Sequence, residues 1–339
     1  MRIACAQLAA RDVEDHDRAL NEALDAVAEA GRAGADLVLL PECTYPAYIL
    51  AVDAPPAGLR SDDDVVSVLA EAARTHGLFV AAGLARGWRP GKRVGLNHAV
   101  LVGPDGPIQL EADKHLLWDF DRCWVRAGRP SRTTSVRLRS DAAAVVGMLV
   151  CADLRMPEIA RMLAVEGAQL LLDPTAWVTG GDPAVLTNPQ PEYLMSVRAL
   201  ENGVWIAAAD KVGMERGTVV YAGRSTIVAP DGSVVAMAST SEPEVVWADI
   251  DLGSAVGPPV PRRPELYLPL VDDDAAPEVT GRRARPLIPR HAGVRVGLLQ
   301  AGADDGVPAV RASITARLPM IDALGISLLA LAASGSEQD

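Results

Sequence analysis

The chain predicts a layered α/β fold, and three observations carry that expectation. Residues 2–8 read as a buried strand, residues 16–31 place Leu20, Ala23, Leu24 and Val27 at helical spacing, and Leu37–Leu40 is a second, short apolar strand. A strand, helix, strand alternation belongs to layered α/β architecture rather than to a bundle or an all-β sandwich. The pattern returns in mid-chain, where apolar Val145–Val150 precedes a helix-like pattern that starts at Pro157 with Ile159, Met162 and Leu163 on one face. With 339 residues, 49% of them hydrophobic, the chain has length for one large domain or two small ones with a full core.

The first helix is broken by Gly31 and Gly34, and the second strand runs directly into LLPECTYP. Glu42 there follows a proline that cannot extend a strand ladder, at a sheet edge of the kind where α/β sites collect. It also reads as a solvated loop acid. Ser61 with Asp62, Asp63 and Asp64 predicts an N-cap and acidic first turn for a helix that buries Val65, Val68, Leu69 and Ala72 and ends at Gly77. Leu78–Gly83 and His98–Val102 are expected strands, and Pro104, Asp105 and Gly106 turn the chain into residues 107–110. His98, next to Asn97 and with no cysteine or acid near it in sequence, is expected to be structural.

DKHLLWDFDRCWVRAG, residues 113–128, sets Lys114, Asp119, Asp121 and Arg122 among Trp118, Phe120 and Trp124. Aromatics beside charges in a loop suggest a pocket wall, or a surface loop pinned to the core. Cys151 then stands where a buried strand gives way to a turn and helix. Backbone N–H groups there can hold an anion and lower a thiol pKa from about 8.5. Taken alone, Cys151 also reads as an inert core cysteine. Further on, residues 191–202 are expected to be helical, Val204–Ala209 and residues 245–250 to be strands, and residues 223–238 to form a hairpin turning at Pro230, Asp231 and Gly232.

From Gly257 the composition shifts to proline and arginine, as in an extended arm. The last fifty residues echo the first. VRVGLLQA at 294–301 resembles RIACAQLA at 2–9, and ISLLALAASG resembles ADLVLLPECT. If Gln300 matches Gln7 and Ala333 matches Glu42, the two intervals differ by two residues. The tail then reads as a truncated repeat of the first βαβ unit with alanine where the first copy has glutamate, or as chance similarity in an alanine-rich chain. The organisation expected is a domain over 1–270 and a C-terminal arm over 271–339.

A net charge of -12 with no Lys/Arg cluster argues against nucleic-acid or anionic-membrane partners and favours small-molecule chemistry. The four cysteines form no CxxC pair and no Cys/His spacing, so neither a disulfide framework nor zinc is indicated. The N-terminus lacks a basic region ahead of a long apolar core, and no apolar run approaches the ~20 residues of a membrane helix. A soluble cytoplasmic protein is expected.

In this order, LLPE, DKHLL and CADLRMPEIARMLAVEGAQLLL resemble the glutamate, lysine and cysteine motifs of the nitrilase superfamily of carbon-nitrogen hydrolases. LNHAVLVGPDG, RALENGVWIAAADKVG and AGRSTIVAPDG add to the similarity, and the resemblance covers residues 1 to about 270. The resemblance implies a four-layer αββα sandwich, assembled at least as a homodimer, that cleaves a small amide, ureide (N-carbamoyl compound) or nitrile without metal or organic cofactor. Cys151 would be the nucleophile that forms a thioester and Glu42 the general base. Lys114 and the Ala152 N–H would hold the oxyanion. Tyr45, Trp118 and Trp177 are pocket candidates that read equally well as core, whereas Arg155 and Glu158 are expected to brace the turn.

Two departures stand out. Many members carry a second glutamate after the lysine motif, and the nearest match, Asp121, is one bond shorter, roughly 1.5 Å. Asp210 stands where the family usually shows asparagine. Nitrilases proper usually follow the nucleophile with tryptophan and glutamate, and Ala152 and Asp153 here favour amides. A catalytically silent scaffold or binding protein with the same fold is the reading of a different class.

Overall fold

The expected beginning is present as β1 (Arg2–Ala9), α1 (His16–Arg32) and β2 (Leu37–Leu39) in a computed structural model. It describes residues 1–106, 108–129, 131–137, 143–179, 186–267, 295–300, 314–315 and 326–332. The chain divides into two compact units, Met1–Pro261 and Arg262–Asp339.

Each early element forms for a local reason. β1 buries its six inner residues, and α1 buries Leu20, Ala23, Val27 and Ala30 along one stripe. α2 (Asp62–His76) begins in a capping box, in which Ser61 accepts the Asp64 N–H and the Asp64 carboxylate accepts the Ser61 N–H. It ends at Gly77 with φ 62°, a left-handed C-cap that favours glycine.

The first unit continues through β3 (Phe79–Arg86), β4 (Gly95–Val102), β5 (Ile108–Asp113), α3 (Asp121–Trp124), β6 (Val125–Arg126), β7 (Thr133–Arg137) and β8 (Ala143–Met148). After these come α4 (Pro157–Val165), β9 (Leu170–Pro174), α5 (Met195–Asn202), β10 (Trp205–Ala209), β11 (Lys211–Glu215) and β12 (Val219–Ala222). β13 (Thr226–Val228), β14 (Val234–Met237) and β15 (Glu244–Asp249) complete it.

One sheet has the order β12-β11-β1-β2-β3-β4-β5, with β15 beside β1 and β6 beside β4; the other runs β14-β13-β10-β9-β8-β7. Ile3, Leu37 and Leu101 of the first sheet share a core with Val146, Leu170 and Ile206 of the second. On the far side of the first sheet, Ala4, Val38 and Val80 pack with Leu20 and Val27 of α1 and Leu69 of α2. Leu163 of α4 and Ala199 of α5 cover the second. The expected four-layer αββα sandwich is the fold.

Three strands, β7, β11 and β12, have no clear periodicity in the sequence. β11 carries a buried lysine and a buried glutamate, which disguise it as polar. The helix expected over 191–202 opens as a π turn, Gln190–Leu194, and is α-helical from Met195.

In the second unit β16 (Arg295–Gln300) and β17 (Ile326–Ala332) pair in parallel, with Val296 opposite Leu328, Gly297 opposite Leu329 and Leu298 opposite Ala330. With Gln300 set on Gln7 and Ala333 on Glu42, these pairs fall on Ile3–Leu37, Ala4–Val38 and Cys5–Leu39 of β1 and β2. Residues 268–294 of the arm, most of the helix-like segment between the tail strands, and Ala333 lie outside the described residues.

Candidate active site

Glu42 stands just beyond the end of β2, fully buried, rather than on a solvated loop. Its N–H donates to the Thr175 carbonyl at 3.2 Å, which ties the end of β2 to the segment after β9 in the other sheet. β3 passes so close that a Cβ on Gly83 would stand 2.5 Å from Glu42 Cα, so glycine is required there. The backbone of Glu42 is thus fixed on two sides.

Lys114 follows β5, and its buried Nζ donates to Glu42 Oε1 at 2.6 Å and pairs with Asp121 Oδ2 at 2.7 Å. Asn97 Nδ2 donates to Glu42 Oε1 at 2.5 Å and to Asp121 Oδ1 at 3.1 Å. Asp121 Oδ2 also accepts the Trp118 N–H at 2.8 Å. The shorter acid reaches Lys114 because the turn closed by Asp121 N–H to Trp118 O, 2.8 Å, carries its backbone inward. Both donors to Glu42 fall on Oε1; Oε2 is buried without a hydrogen-bond partner.

Cys151 follows β8 with φ 51°, a strained backbone value for a residue with a side chain. The surroundings hold it there. Its N–H donates to Asp173 Oδ1 at 2.5 Å, and its carbonyl accepts from Gln190 Nε2 at 3.0 Å. The next turn is bound to the lysine segment, since the Asp153 carboxylate accepts the N–H of His115 at 3.1 Å and of Leu116 at 2.8 Å. One acid therefore locks the turn after Cys151 to the residues after Lys114.

Burial pushes the Cys151 thiol well above its ordinary pKa, the charge of Glu42 adds to this, and Lys114 opposes it. Burial also raises Glu42, against the pull of Lys114 and with repulsion from Asp121. For Lys114, burial favours the neutral amine, but Glu42, Cys151 and Asp121 outweigh it and the ammonium is held well above its usual range. The resting arrangement is a neutral thiol beside a carboxylate on an ammonium. It suits proton transfer during attack rather than a standing thiolate.

An open cleft of about 420 Å³ lies beside the turn after Cys151 and the segment after Lys114, lined by His115, Leu116, Leu117, Trp118, Arg122, Ala152, Arg155 and Met156. Trp118 meets Phe120 edge-on at 5.9 Å and has the Arg155 guanidinium 5.9 Å from its ring centre. Arg155 braces as expected, donating from Nε to Gln190 Oε1 at 2.8 Å, yet it also forms cleft wall. Glu158 is exposed in the first turn of α4.

Two pocket candidates do not line this cleft and sit in the core, the other reading the sequence allows. Tyr45 packs in the helix-side core, its hydroxyl accepting the Arg60 N–H at 2.7 Å, because the chain has already turned towards α1. Trp177 is fully buried between the sheets, and its N–H donates to Asp210 Oδ1 at 2.8 Å. His98 is structural, with Nδ1 2.6 Å from Asp113 Oδ1 across the β4–β5 pair.

Sequence reasoning missed Asn97, Asp153, Asp173 and Gln190. Only Asn97 and Asp153 carried a signal, as members of LNHAVLVGPDG and CADLRMPE. Among the described residues no group of three or more His, Cys, Asp or Glu could hold a metal ion, and no helix is long and apolar enough to cross a membrane.

Two sheets between helix layers, with a thiol, a carboxylate and an ammonium buried together, are the arrangement of a hydrolase of the cysteine-nucleophile class. A profile of the carbon-nitrogen hydrolase family matches residues 2–257, and the chain belongs to that family. It is 33% identical over 239 residues to a nitrilase of Pyrococcus abyssi, covering 70% of this chain and 84% of that protein. With the omega-amidase NIT2 of Bos taurus it shares 32% over 255 residues, 74% of this chain and 88% of that one. Among solved structures, an amidase from Nesterenkonia sp. AN1 superposes with TM-score 0.65 at 29% identity, covering 79% of this chain and 95% of the other. That structure is a glutamate-to-glutamine variant showing covalent addition of the acetamide moiety of fluoroacetamide at its active-site cysteine.

Proposed function

We propose that this enzyme hydrolyses a small linear amide, or an N-carbamoyl compound, through a thioester on Cys151. The observation that carries this reading is the division of labour on Glu42. Lys114 and Asn97 occupy Oε1, while Oε2 stays unpartnered in a site that also holds a buried thiol. In the first half-reaction Cys151 Sγ attacks the carbonyl carbon as Glu42 Oε2 takes the thiol proton. The tetrahedral oxyanion is held by Lys114 Nζ and the Ala152 N–H, a kind of donor whose loss costs on the order of 100- to 1000-fold. The C–N bond then breaks, and Glu42 returns the proton to the departing ammonia or amine. Glu42 next deprotonates a water that attacks the thioester, releasing the acid and restoring the thiol. Asp121 takes the place of the family's second glutamate by holding Lys114, and no step calls on a metal or cofactor.

Arg122 and Arg155 on the cleft wall favour an amide that carries a carboxylate at its far end. The named omega-amidases among the similar proteins support the same class. Ammonia release should therefore be faster from a four-carbon half-amide of a dicarboxylic acid than from its neutral amide, an N-carbamoyl amino acid or the matching nitrile. The nitrile arm addresses the relative named a nitrilase. No turnover of any amide or ureide, with no substrate-protectable alkylation of Cys151 by iodoacetamide, would instead support a silent scaffold.

The working unit is a homodimer in the cytoplasm, where Cys5, Cys43, Cys123 and Cys151 stay as free thiols. Exposed Met162 and Val165 on α4, with Val197 and Leu200 on α5, supply an apolar surface for a second copy. The tail is a truncated repeat of the first βαβ unit, supported by the shared strand register, and serves assembly rather than chemistry. Deletion after residue 272 should change the sedimentation coefficient or solubility and leave the chemical step intact. A deletion variant that remains dimeric with unchanged kinetics and solubility would refute that role.

A further inference from the structure

The side chain of Asn97, on β4 and only 1% exposed, has every polar group engaged in or beside the active site. Its two N–H groups go one to Glu42 Oε1 at 2.5 Å and one to Asp121 Oδ1 at 3.1 Å. Its Oδ1 accepts the Cys43 thiol at 3.6 Å, which fixes which way the amide faces. The main chain adds a third tie, since the Lys114 N–H donates to the Asn97 carbonyl at 2.8 Å. One residue thus touches the general base, the neighbour of that base, the second acid and the backbone of the ammonium donor.

We propose that Asn97 is a positioning residue for the hydrolysis, which with Lys114 fills Oε1 of Glu42 so that Oε2 alone exchanges protons with Cys151 and with water. The inference rests on the reading of Glu42 as the general base. Two physical consequences follow from the geometry. Without the amide donor, Glu42 would be free to turn and share both oxygens with Lys114, so that no oxygen is reserved for the thiol proton. In addition, two buried carboxylates would then face a single ammonium with fewer donors, and the proton affinity of both would rise.

An apolar or purely space-filling role predicts something different. A filler affects folding and leaves the proton chemistry of the surviving folded protein alone. An isostere separates the two cases, because aspartate has the shape of asparagine but donates only when protonated.

The test uses the full-length protein and its best amide substrate. Wild type, N97A, N97S and N97D are compared for kcat and KM across pH, with thermal melting and the acylation burst measured in parallel. Loss of a hydrogen bond to a charged group should lower kcat of N97A by about 10- to 100-fold, with KM changed by less than about 3-fold. The acid limb of its kcat profile should move to higher pH, because Glu42 loses a donor to its charged form. N97S, which keeps one short donor, should recover part of that loss. N97D should be slowest at alkaline pH and recover as the pH falls and its carboxyl group becomes a donor.

A folded N97A or N97D whose kcat profile superposes on wild type would overturn the proposal. So would loss of melting temperature with no change in kcat or in the acid limb. If N97A does not fold, the isosteric N97D decides by the same two readouts. E42Q is the control for the reading beneath it: full turnover by E42Q would remove Glu42 as general base, whereas an inactive E42Q beside wild-type-like Asn97 variants removes only Asn97.

Discussion

Lys114 with Glu42 and Lys211 with Glu215 are buried ion pairs of the same residue types, 2.6 and 2.8 Å long. They stand back to back across two tyrosines: Lys114 Nζ lies 5.7 Å from the ring centre of Tyr48, Lys211 Nζ lies 5.7 Å from that of Tyr221, and the rings meet edge-on at 6.3 Å. The second pair is closed. Glu215 Oε1 accepts from Lys211 and Oε2 accepts the Ile49 N–H at 2.8 Å, while Lys211 also donates to the Cys43 carbonyl at 3.1 Å. Those bonds strap down the loop that follows Glu42. The first pair is open, because both donors to Glu42 share one oxygen and leave the other without a partner in a site that also holds Cys151. The same two residues are a brace where both carboxylate oxygens have partners and a reactive centre where one oxygen is left over.

Matched amide variants should break this symmetry most strongly. E42Q is expected to lower kcat by about 1000-fold, within the range for loss of a general acid–base, while far-UV dichroism and melting show a folded protein. E215Q should keep kcat within about 10-fold and lose melting temperature instead. Equal losses of turnover in two folded variants would mean that the closed pair also takes part in the chemistry.

Removing the cations sharpens the same contrast. K211M leaves Glu215 buried without its partner, a change that typically costs about 3–5 kcal/mol, to be read from chemical denaturation. K114M should show a loss of that order and, in addition, almost no turnover, since it also deletes an oxyanion donor. K211M protein that remains folded should turn over within about 10-fold of wild type, by the fit of kcat to folded fraction.

The contrast also marks what the sequence makes legible. Glu42, Lys114 and Cys151 are readable because each sits at a strand end inside a local motif, and the strand and helix periodicities place the layers. Asn97 is not, because its meaning lies in Glu42, 55 residues away, and Asp121, 24 residues away. Asp153 likewise acts on backbone N–H groups 37 and 38 residues distant. Tyr45 and Trp177 read equally as pocket or core, because composition does not say which side of a turn a ring takes. β11 is hidden for the reason that makes it interesting: a buried Lys–Glu pair looks polar in one dimension.

Asp210 is the third buried acid in this comparison, and its substitution should affect turnover least. Like Glu42 it has one oxygen without a partner, Oδ2, while Oδ1 accepts the Trp177 N–H at 2.8 Å. Unlike Glu42 it has no ammonium, because Lys211 is spent on Glu215 and the Cys43 carbonyl. Burial therefore pushes its carboxyl well above the ordinary range, opposed by backbone N–H groups and reinforced by the charge of Glu42. Such an acid keeps its proton in the folded state where the unfolded chain has lost it near pH 3.9. The folded protein then binds the extra proton, so stability falls as pH rises from about 4 towards the folded pKa, by up to ~1.4 kcal/mol per pH unit. D210N cannot ionise and restores the amide usual in the family. It should remove this slope from a series of denaturation curves taken upward from about pH 4, with kcat changed by less than about 3-fold. An unchanged slope would mean that Asp210 is already ionised in the folded protein, and that a buried carboxylate here survives on backbone donors alone.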